Sequence, residues 1–290
     1  MSEQVCKADM GGDGAAGVDM CGYPVETTGN AVLDILEHRS STRAFARDDD
    51  DRPVAVTDEQ RAAILHAASR APSAGAMMMY SIVSIREQAT LNRLADLCDH
   101  QPMIAKAPWA LLFVVDYAKW IDLFDHVGCF EPEFVERTGK KPRRAPGLGD
   151  FAIAAQDAVI AAQNAVVAAE SLGLGSCYIG DIVENAEEVA ELLDLPPYTM
   201  PLSMLIIGTP RKERPAIAHP VVNLVHEERY CRADAATMDA QVDEMDAMFR
   251  PHAREVGERV VDIYTRKHTS PFMAEMSRSM EWWFKNWLGK

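Results

Sequence analysis

The hydrophobic and polar positions of the chain follow strand-like patterns in some stretches and helical patterns in others. Two runs are apolar at nearly every position, at 108–116 and 201–208. Such runs are typical of strands that are covered on both faces. A shorter strand is predicted at 80–85. We therefore expect the two long runs to be buried strands.

Helical spacing of apolar residues, together with capping residues, predicts several helices. The first runs from a cap at Asn30 to His38, and a Thr-Asp-Glu-Gln capping box at 57–60 opens a second that ends at Ser69. The longest, at 151–172, carries alanines around most of its circumference, which is typical of a buried helix that other backbones approach closely. Further helices are predicted at 87–98, 186–193 (capped by Asn185), 235–249 and 271–288.

Three stretches lack a regular pattern. Residues 1–25, rich in Gly, Asp and Ala, are expected to form a mobile arm or to lie on a partner. Residues 117–149 are predicted to be less regular, and 176–182 to form a turn that leads into the next helix. Because helices and strands alternate irregularly, the fold class is α+β with one main core rather than a series of βαβ units.

A stripe of large apolar residues marks the last predicted helix, in which Pro271 occupies the first helical position. The stripe residues recur at helical spacing and are Phe272, Met276, Met280, Trp283, Phe284 and Trp287. We expect Trp282, Trp283 and Trp287 to pack against a partner subunit rather than to bind a cofactor.

Charge and composition exclude some functions. The chain has 290 residues, with 29 Lys and Arg against 44 Asp and Glu, which gives a formal charge of −15. Binding to nucleic acid or to an anionic membrane surface needs clustered positive charge, so neither is expected as a partner. A hydrophobic share of 48% excludes disorder for most of the chain. The longest charge-free apolar stretch, 158–169, is too short to span a bilayer.

The N-terminus and the cysteines bear on the compartment. The first residues lack the basic start and apolar core of a signal peptide. The cysteines are dispersed, at positions 6, 21, 98, 129, 177 and 231, with no CxxC pair and no Cys/His metal spacing. We therefore predict a cytoplasmic protein with reduced thiols and no metal site.

The segment 39–43 (RSSTR), just after the first helix, places two guanidinium groups and three hydroxyls within five residues. The planar fork of Arg matches phosphate oxygens, and the hydroxyls add neutral donors. In so acidic a chain, a dianionic ligand needs such a local basic site. A solvated turn with surface arginines explains the same residues, and the segment alone favours that interpretation.

Two further segments, 71–80 (APSAGAMMMY) and 173–181 (GLGSCYIGD), suit a planar ligand. The first combines a stiff Pro, a conformationally free Gly and three polarisable methionines. The second has three glycines, which let backbone amides approach a ring such as a flavin. The alternatives are a turn with core-filling methionines and an ordinary helix end. The second segment is not a dinucleotide fingerprint, because it is not a GxGxxG in a βαβ unit.

Taken in order, these segments resemble the FMN-dependent nitroreductase family. Residues 39–45 (R-S-S-T-R-A-F) are similar to that family's R-R-S-x-R-x-F, and 71–80 to its A-P-S-S-G-N-x-Q-P-W. The most specific match is the helix and loop at 161–180, which resembles A-x-Q-N followed by A-A-x-S-L-G-L-G-S-C-Y-I-G. Counterparts of G-Y-P and V-H-E-x-x-Y follow at 208–210 and 225–230. Five motifs in the family's order argue against chance.

The resemblance implies an α+β fold with a mixed or antiparallel sheet flanked by helices, and an obligate homodimer that buries the Ala-rich helix at its interface. It implies a mobile arm at 1–25, an FMN-binding domain at 26–230, and a helical extension at 231–290 that packs on the core or on the partner subunit. The implied activity is ping-pong transfer of a hydride from NAD(P)H, through flavin N5, to a small-molecule electron acceptor such as a nitroaromatic or a quinone. Since the flavin carries this chemistry, no catalytic side chain is assigned.

The resemblance also assigns residues to FMN. The phosphate and ribityl end would be held by Arg39, Ser40, Ser41 and Arg43. The flavin would be approached from the other subunit by Pro72, Ser73 and Ala74. Backbone would be presented to the isoalloxazine by Ile179, Gly180 and Asp181, with Tyr178 beside them. The pyrimidine edge would be contacted by Gln101.

Some positions depart from the family pattern. Ala76 and Met78 stand where the family has Asn and Gln, and Ala216 and Ala218 stand where a Lys and an Arg help to bind phosphate. A neighbouring Arg211, Lys212 or Arg214 is an alternative phosphate ligand. The departures leave two other functions open. One is a flavin-binding or interaction protein with little turnover, and the other is a reductase dedicated to another substrate, such as an enone or a halogenated aromatic.

Overall fold

The computed structural model describes residues 29–140, 144–212, 222–247 and 255–290. The chain divides into two compact units. The larger, which we call the core unit, consists of Arg39–Pro215 and Ala274–Lys290. The smaller, the small unit, consists of Met1–His38 and Ala216–Met273. The predicted arm at 1–25 lies outside the described residues.

The core unit is built on a four-stranded sheet. Its strands are β1 (Tyr80–Ile85), β2 (Trp109–Asp116), β3 (Gly175–Ile179) and β4 (Thr199–Gly208). They are arranged in the order β1-β2-β4-β3, and each neighbouring pair is antiparallel. The predicted strands at 80–85, 108–116 and 201–208 are confirmed, as is the α+β class. The turn predicted at 176–182 is wrong at its start, because residues 175–179 pair with β4 as an edge strand.

Helices surround this sheet, and further helices belong to the small unit. They are α1 (Ala31–His38), α2 (Asp58–Ser69), α3 (Gln88–Leu97), α4 (Pro102–Ala105), α5 (Ala118–His126), α6 (Pro132–Thr138), α7 (Leu148–Ser171), α8 (Ala186–Leu192), α9 (Ala235–Ala247), α10 (Glu258–Ile263) and α11 (Phe272–Trp287). Three of these helices, α1, α9 and α10, belong to the described part of the small unit. The predicted helices are confirmed, although α7 begins at Leu148 rather than at residue 151, and α11 begins at Phe272, so Pro271 immediately precedes the helix instead of occupying its first position. The end of the helix predicted at 235–249 lies outside the described residues.

The stretch 117–149, predicted to be less regular, in fact contains α5 and α6. Pro132 stands at the start of α6, where the missing N–H of proline loses no hydrogen bond. Both helices are short, at 9 and 7 residues. The periodicity of such short helices is hard to recognise in a sequence, and the irregular interpretation was therefore wrong.

The capping predictions have different outcomes. At α2 the box is complete, since the hydroxyl of Thr57 accepts from the N–H of Gln60 at 3.2 Å and the Gln60 side chain accepts from the N–H of Thr57 at 3.0 Å. At α8, Asn185 occupies the N-cap position as predicted, but its side chain makes no capping hydrogen bond. Asn185 has φ 48°, and its side chain donates instead to the carbonyl of Leu97 at 2.7 Å. Side chains of α11 satisfy the start of α8.

Alternate residues of β2 supply the two faces of the sheet. Trp109, Leu111 and Phe113 point into a cluster that includes the buried alanines of α7. Leu112 and Val114 point into a second cluster, which includes residues of α3, α8 and α11. All eight residues of β2 are buried. The strand is therefore covered on both faces, as its continuous apolar run predicts.

By length and composition alone, α7 could cross a membrane. In this structure it packs instead on α2 and on the sheet. Its buried face includes the fully enclosed alanines 158, 161, 162 and 165, and it also holds the buried carboxylate of Asp157. These are features of the core helix of a globular unit.

The C-terminal helix α11 packs on the core of its own chain. Trp283 and Trp287 are both fully buried without a second subunit. The indole N–H of Trp287 donates to the carbonyl of Gly147 at 3.0 Å, and its ring packs edge-on against Phe151. The expectation that these two tryptophans pack against a partner is therefore wrong. An apolar stripe shows that a face is buried, but does not identify what covers it.

In the small unit, the buried carboxylate of Asp246 ties the end of α9 to the start of α10. It accepts hydrogen bonds from the backbone N–H groups of Gly257, at 2.6 Å, and Arg259, at 3.0 Å. Cys231 is disulfide-bonded, whereas Cys98, Cys129 and Cys177 are free. The expectation of reduced thiols is thus wrong for Cys231, whose disulfide is not signalled by any spacing motif in the sequence.

Candidate functional site

Two of the three candidate segments lie side by side. The backbone N–H of Thr42 donates to the carbonyl of Ser176 in β3 at 2.8 Å, and the N–H of Ala46 donates to the carbonyl of Thr209 at 2.8 Å. The segment 39–47 therefore lies beside the start of β3 and the residues that follow β4. This places Arg39 to Arg43 beside the strand and turn at 175–181, as a shared ligand would require.

The first segment contains two buried polar atoms without a protein partner. Among the described residues, neither Nε of Arg39 nor the hydroxyl of Thr42 has a hydrogen-bond partner. Ser40 is buried, Ser41 is half-buried and Arg43 is exposed. A buried polar group without a partner is unfavourable, and native proteins rarely keep one without a reason. A bound anion with several acceptor oxygens would provide the missing partners, so these residues fit a phosphate group.

Tyr178 links this segment to the strand. Burial raises the pKa of Tyr178 to about 12, although the positive charge of Arg39 acts in the opposite direction. The phenol is therefore protonated at neutral pH, and its hydroxyl donates to the side chain of Gln163 in α7 at 3.3 Å. Tyr178 is thus a neutral donor beside the guanidinium of Arg39, and not a general base.

The turn after β3 exposes backbone at one position. Ile179 is buried, Gly180 is exposed and Asp181 is half-buried. Gly180 has an ordinary φ of −79°, and a Cβ built there meets no atom within 4 Å. The fold of this chain therefore does not require glycine at 180. Open space beside an exposed backbone is what close approach by a planar ligand needs.

Gln101 lies beside the same turn. Its side-chain amide donates to the carboxylate of Asp181. Beneath them, burial and the carboxylates of Asp181 and Glu184 raise the pKa of Cys98, so the thiol stays protonated. The structure thus brings Gln101 to the candidate site. Its contact with a flavin edge stays a prediction.

The loop at 72–79 has an unusual backbone. Gly75, Ala76 and Met78 have φ values of 58°, 55° and 46°. Residues other than Gly, Asn and Asp seldom adopt this left-handed region, and each such residue stores conformational strain. Pro72 and Ala74 are exposed, whereas Ser73 is half-buried and its hydroxyl accepts from the N–H of Met78 at 3.1 Å. The loop therefore needs external support to keep this shape.

Residues that the sequence analysis missed supply that support. The carboxylate of Asp157 accepts from the N–H of Ala74 at 3.0 Å and from the N–H of Met79 at 3.4 Å. From α5, the ammonium group of Lys119 donates to the carbonyl of Tyr80 at 2.5 Å. Trp120 similarly donates to the carbonyl of Met77, at 2.8 Å.

Burial lowers the pKa of Lys119, although Asp116 acts in the opposite direction. The carboxylate of Asp116 also accepts from the hydroxyl of Ser81 at 2.5 Å. The sequence signal for Asp157 is a lone carboxylate among the alanines of a buried helix. Such a charge needs hydrogen-bond donors, and the loop at 72–79 provides them.

Some predicted residues cannot be placed. Ala216, Ala218 and Arg214 lie outside the described residues, whereas Arg211 is exposed near the end of β4. The N–H of Arg211 donates to the carbonyl of Ala44 at 3.0 Å, which puts it next to the first segment. A cavity of about 590 Å³ elsewhere in the core unit is lined by Pro53, Arg61, Arg86 and neighbouring residues, and by none of the predicted site residues.

Comparisons with known proteins identify the family and the fold. The sequence profile described as the nitroreductase family matches residues 36–209. The chain is 33% identical over 215 residues to an FMN reductase (NAD(P)H) of Bacillus subtilis, covering 73% of this chain and 79% of that protein. It is also 33% identical over 221 residues to an oxygen-insensitive NADPH nitroreductase of Salmonella typhimurium, covering 75% and 82%. Its fold resembles the NADPH:FMN oxidoreductase of Vibrio harveyi in complex with NAD+, with a TM-score of 0.67, 25% identity and coverage of 86% and 97%.

Proposed function

Because the chain belongs to the nitroreductase family, we propose that it is an FMN-dependent NAD(P)H oxidoreductase. The observation that carries the proposal is the pair of unpartnered buried atoms, Nε of Arg39 and the hydroxyl of Thr42, in a segment that lies beside the start of β3. They supply donors where a phosphate ester would supply acceptors. The relative named as an FMN reductase (NAD(P)H) supports FMN and NAD(P)H, and the one named as an NADPH nitroreductase supports the activity.

FMN would be held by the residues that the geometry brings together. Arg39, Ser40, Ser41 and Arg43 would bind its phosphate and ribityl end. The backbone of Ile179, Gly180 and Asp181, with Tyr178 and Gln101 nearby, would face its ring system. When bound, FMN supplies the redox chemistry, by accepting a hydride from NAD(P)H at N5 and passing it to a nitroaromatic, quinone or related small acceptor.

The protein's own groups would orient the bound FMN and neutralise the charge of its phosphate. The guanidinium of Arg39 would balance phosphate charge in a chain with a net charge of −15. Tyr178 stays neutral at physiological pH, and the thiol of Cys98 stays protonated below the turn. Neither Tyr178 nor Cys98 is therefore ionised as a nucleophile or general base at neutral pH. This suits an enzyme whose protein part binds and aligns its reactants.

We propose that the active form is a cytoplasmic homodimer with two FMN sites at its interface. The outer face of α7 exposes Ile153, Val159 and Ile160, each with 39% or more of its surface accessible. Exposed apolar side chains on one helix are a feature of many interaction surfaces. The exposed loop with Pro72, Ser73 and Ala74 would then reach the flavin bound to the other subunit.

Steady-state kinetics of the purified full chain test the proposal. Added FMN should be retained, and NADPH or NADH should drive the reduction of a nitroaromatic and a quinone. Double-reciprocal plots at several fixed acceptor concentrations should give the parallel lines of ping-pong kinetics. The proposal is overturned if the protein retains no FMN, or if the loaded protein turns over with neither nucleotide.

A second function is favoured by one specific observation. Ala76 and Met78 replace polar residues of the family motif, and both have positive φ. Without those amides the loop has fewer donors for a flavin or its substrate. A flavin-binding protein with little turnover would retain FMN in the same assay but would resist reduction by both nucleotides.

A further inference from the structure

The C-terminal helix holds the turn that follows β3, in addition to the turn's own backbone hydrogen bonds. The indole N–H of Trp283 donates to the carbonyl of Val183 at 2.9 Å. Trp283 is fully buried, and Val183 ends the single helical turn that starts at Asp181. Within that turn, the N–H of Val183 is 3.4 Å from the carbonyl of Gly180. The N–H of Glu184 also donates to the carbonyl of Asp181 at 3.0 Å, so the bond from Trp283 is a third bond to this turn and comes from another element.

Helix α11 also caps the next element. The N–H of Asn185 donates to the carboxylate of Glu275 at 3.2 Å, and the N–H of Ala186 donates to the hydroxyl of Ser279 at 3.2 Å. The first N–H groups of a helix have no partner within it and must be satisfied from elsewhere. Since the side chain of Asn185 points to Leu97 instead, α11 provides the cap of α8.

A network of charges keeps these capping groups in place. Arg278 donates to both carboxylate oxygens of Glu187 at 2.8 Å each, which joins α11 to α8. It also donates to Glu275 at 2.9 and 2.8 Å, and Ser279 donates to the same carboxylate at 2.8 Å. Such paired donors fix the orientation of a carboxylate. On the opposite side, Gln101 holds the start of the turn through Asp181.

We propose that α11 is a positioning element for the flavin-facing turn at 180–186, and that Trp283 is its principal positioning residue. The inference rests on the proposed function, which places FMN against the backbone of Ile179 to Asp181. Backbone groups recognise a ligand well only if they are already fixed in the bound geometry. The bond from Trp283 fixes the carbonyl at the end of this turn. The C-terminal extension therefore serves the cofactor site without touching the cofactor.

Helix α11 offers a matched control for this inference. Trp287 is as fully buried as Trp283, and its N–H also donates to a backbone carbonyl, at 3.0 Å. Its acceptor, however, is Gly147 at the start of α7. Trp283→Phe and Trp287→Phe each remove one indole N–H and a similar volume from the same helix. They differ in which backbone segment loses its partner.

The test compares FMN-loaded and FMN-free forms of both variants. Trp283→Phe should raise the Kd for FMN by about two- to tenfold, the equivalent of one hydrogen bond. It should also shift the flavin midpoint potential and speed hydrogen exchange of the amides at 183–186 in the FMN-free protein. Trp287→Phe should lose a similar amount of thermal stability. It should leave the Kd for FMN, the flavin midpoint potential and the exchange rates of the amides at 183–186 unchanged. If Trp283→Phe does not fold, Ser279→Ala is tested in its place. It should change the Kd for FMN, the midpoint potential and the amide exchange in the same directions but by smaller amounts.

The outcomes separate this inference from the proposed function. If the wild type binds FMN and the two tryptophan variants change the Kd equally, or not at all, the positioning role is overturned while the function stands. If the wild type binds no FMN, the proposed function fails, and the role of α11 toward the cofactor fails with it. In that case, faster hydrogen exchange of the amides at 183–186 in Trp283→Phe, but not in Trp287→Phe, would still show that Trp283 holds the turn.

Discussion

The buried carboxylate of Asp157, in the middle of α7, accepts a hydrogen bond of 3.0 Å from the backbone N–H of Ala74, which lies 83 residues earlier in the chain. The same carboxylate accepts from the N–H of Met79. One side chain thus holds both ends of a loop whose Ala76 and Met78 are in the left-handed region. The longest helix therefore shapes the loop proposed to approach FMN in the partner subunit.

Replacing Asp157 by Asn should destabilise the protein by about 1–3 kcal/mol, because an amide NH2 would face a backbone donor and leave it unpaired. Urea denaturation of the FMN-free protein at fixed concentration measures this change. Asn164→Ala is the matched control, since Asn164 in α7 donates to the carbonyl of Ala67 and not to the loop. Asn164→Ala should lower the stability of the protein without lowering its FMN affinity, whereas Asp157→Asn should lower both the stability and the FMN affinity. An Asp157→Asn protein as stable as the wild type would contradict the assignment.

Arg39→Ala should weaken FMN binding by about 10- to 150-fold, because a charge-assisted hydrogen bond contributes roughly 1.5–3 kcal/mol. Flavin fluorescence on titration measures the affinity. Arg61→Ala is the control, because Arg61 also belongs to the core unit but pairs with Asp58 at the start of α2. Unchanged FMN affinity in Arg39→Ala would show that the phosphate lies elsewhere.

Substitutions at two glycines distinguish a residue that the fold requires from one that the cofactor site requires. A Cβ at 208 would lie 2.7 Å from the Pro108 side chain and 2.8 Å from the Phe45 ring. Gly208→Ala should therefore destabilise the FMN-free protein by about 1–3 kcal/mol through overpacking. A Cβ at 180 meets nothing within 4 Å, so Gly180→Ala should fold normally but bind FMN less tightly. Thermal melts and FMN titrations of both variants test this. Equal FMN affinity in Gly180→Ala and the wild type would remove this backbone from the flavin site.

The dependence of stability on pH should report the contact between α11 and α8. Hydrogen bonding to Arg278, helped by Ser279 and the N–H of Asn185, lowers the pKa of Glu275 from its ordinary 4.5 to about 2. A lowered pKa stabilises the folded state above the unfolded-state value, and this stabilisation is lost as pH falls from about 4.5 to about 2. Glu275→Gln should be less stable than the wild type near neutral pH.

As the pH falls from about 4.5 to about 2, Glu275→Gln should lose less stability than the wild type. Glu281→Gln, on the exposed part of the same helix, is the control. Chemical denaturation across the acid range measures both curves. If Glu275→Gln follows the wild-type curve throughout, the ion pair with Arg278 does not stabilise the folded protein.

Elements that can be recognised from local pattern were predicted well. The continuous apolar run at 108–116 indicates a strand covered on both faces, and the structure has one there. The box at Thr57 and Gln60 lies within a single turn, so its spacing alone identifies it. By contrast, β3 is an edge strand of five residues that begins with glycine, and only its pairing with β4 defines it.

The candidate site was predicted in part, for the same reason. The motifs at 39–43 and 173–181 indicate which residues could bind a ligand, and the structure places them side by side. The residues that hold the site in shape were not predicted. Asp157 contacts a loop 83 residues away, and Trp283 contacts a carbonyl 100 residues away. Neither contact leaves a periodic or local signal, because each depends on how distant elements pack.

Anaerobic titration of the FMN-loaded full chain with NADPH, and separately with NADH, tests the central claim most directly. The account predicts that the visible absorbance of oxidised flavin disappears on addition of about one equivalent of at least one nucleotide per bound flavin, and returns when a quinone is added. If bound FMN keeps its absorbance with both nucleotides, while a chemical reductant such as dithionite bleaches it, the chain is not an NAD(P)H oxidoreductase.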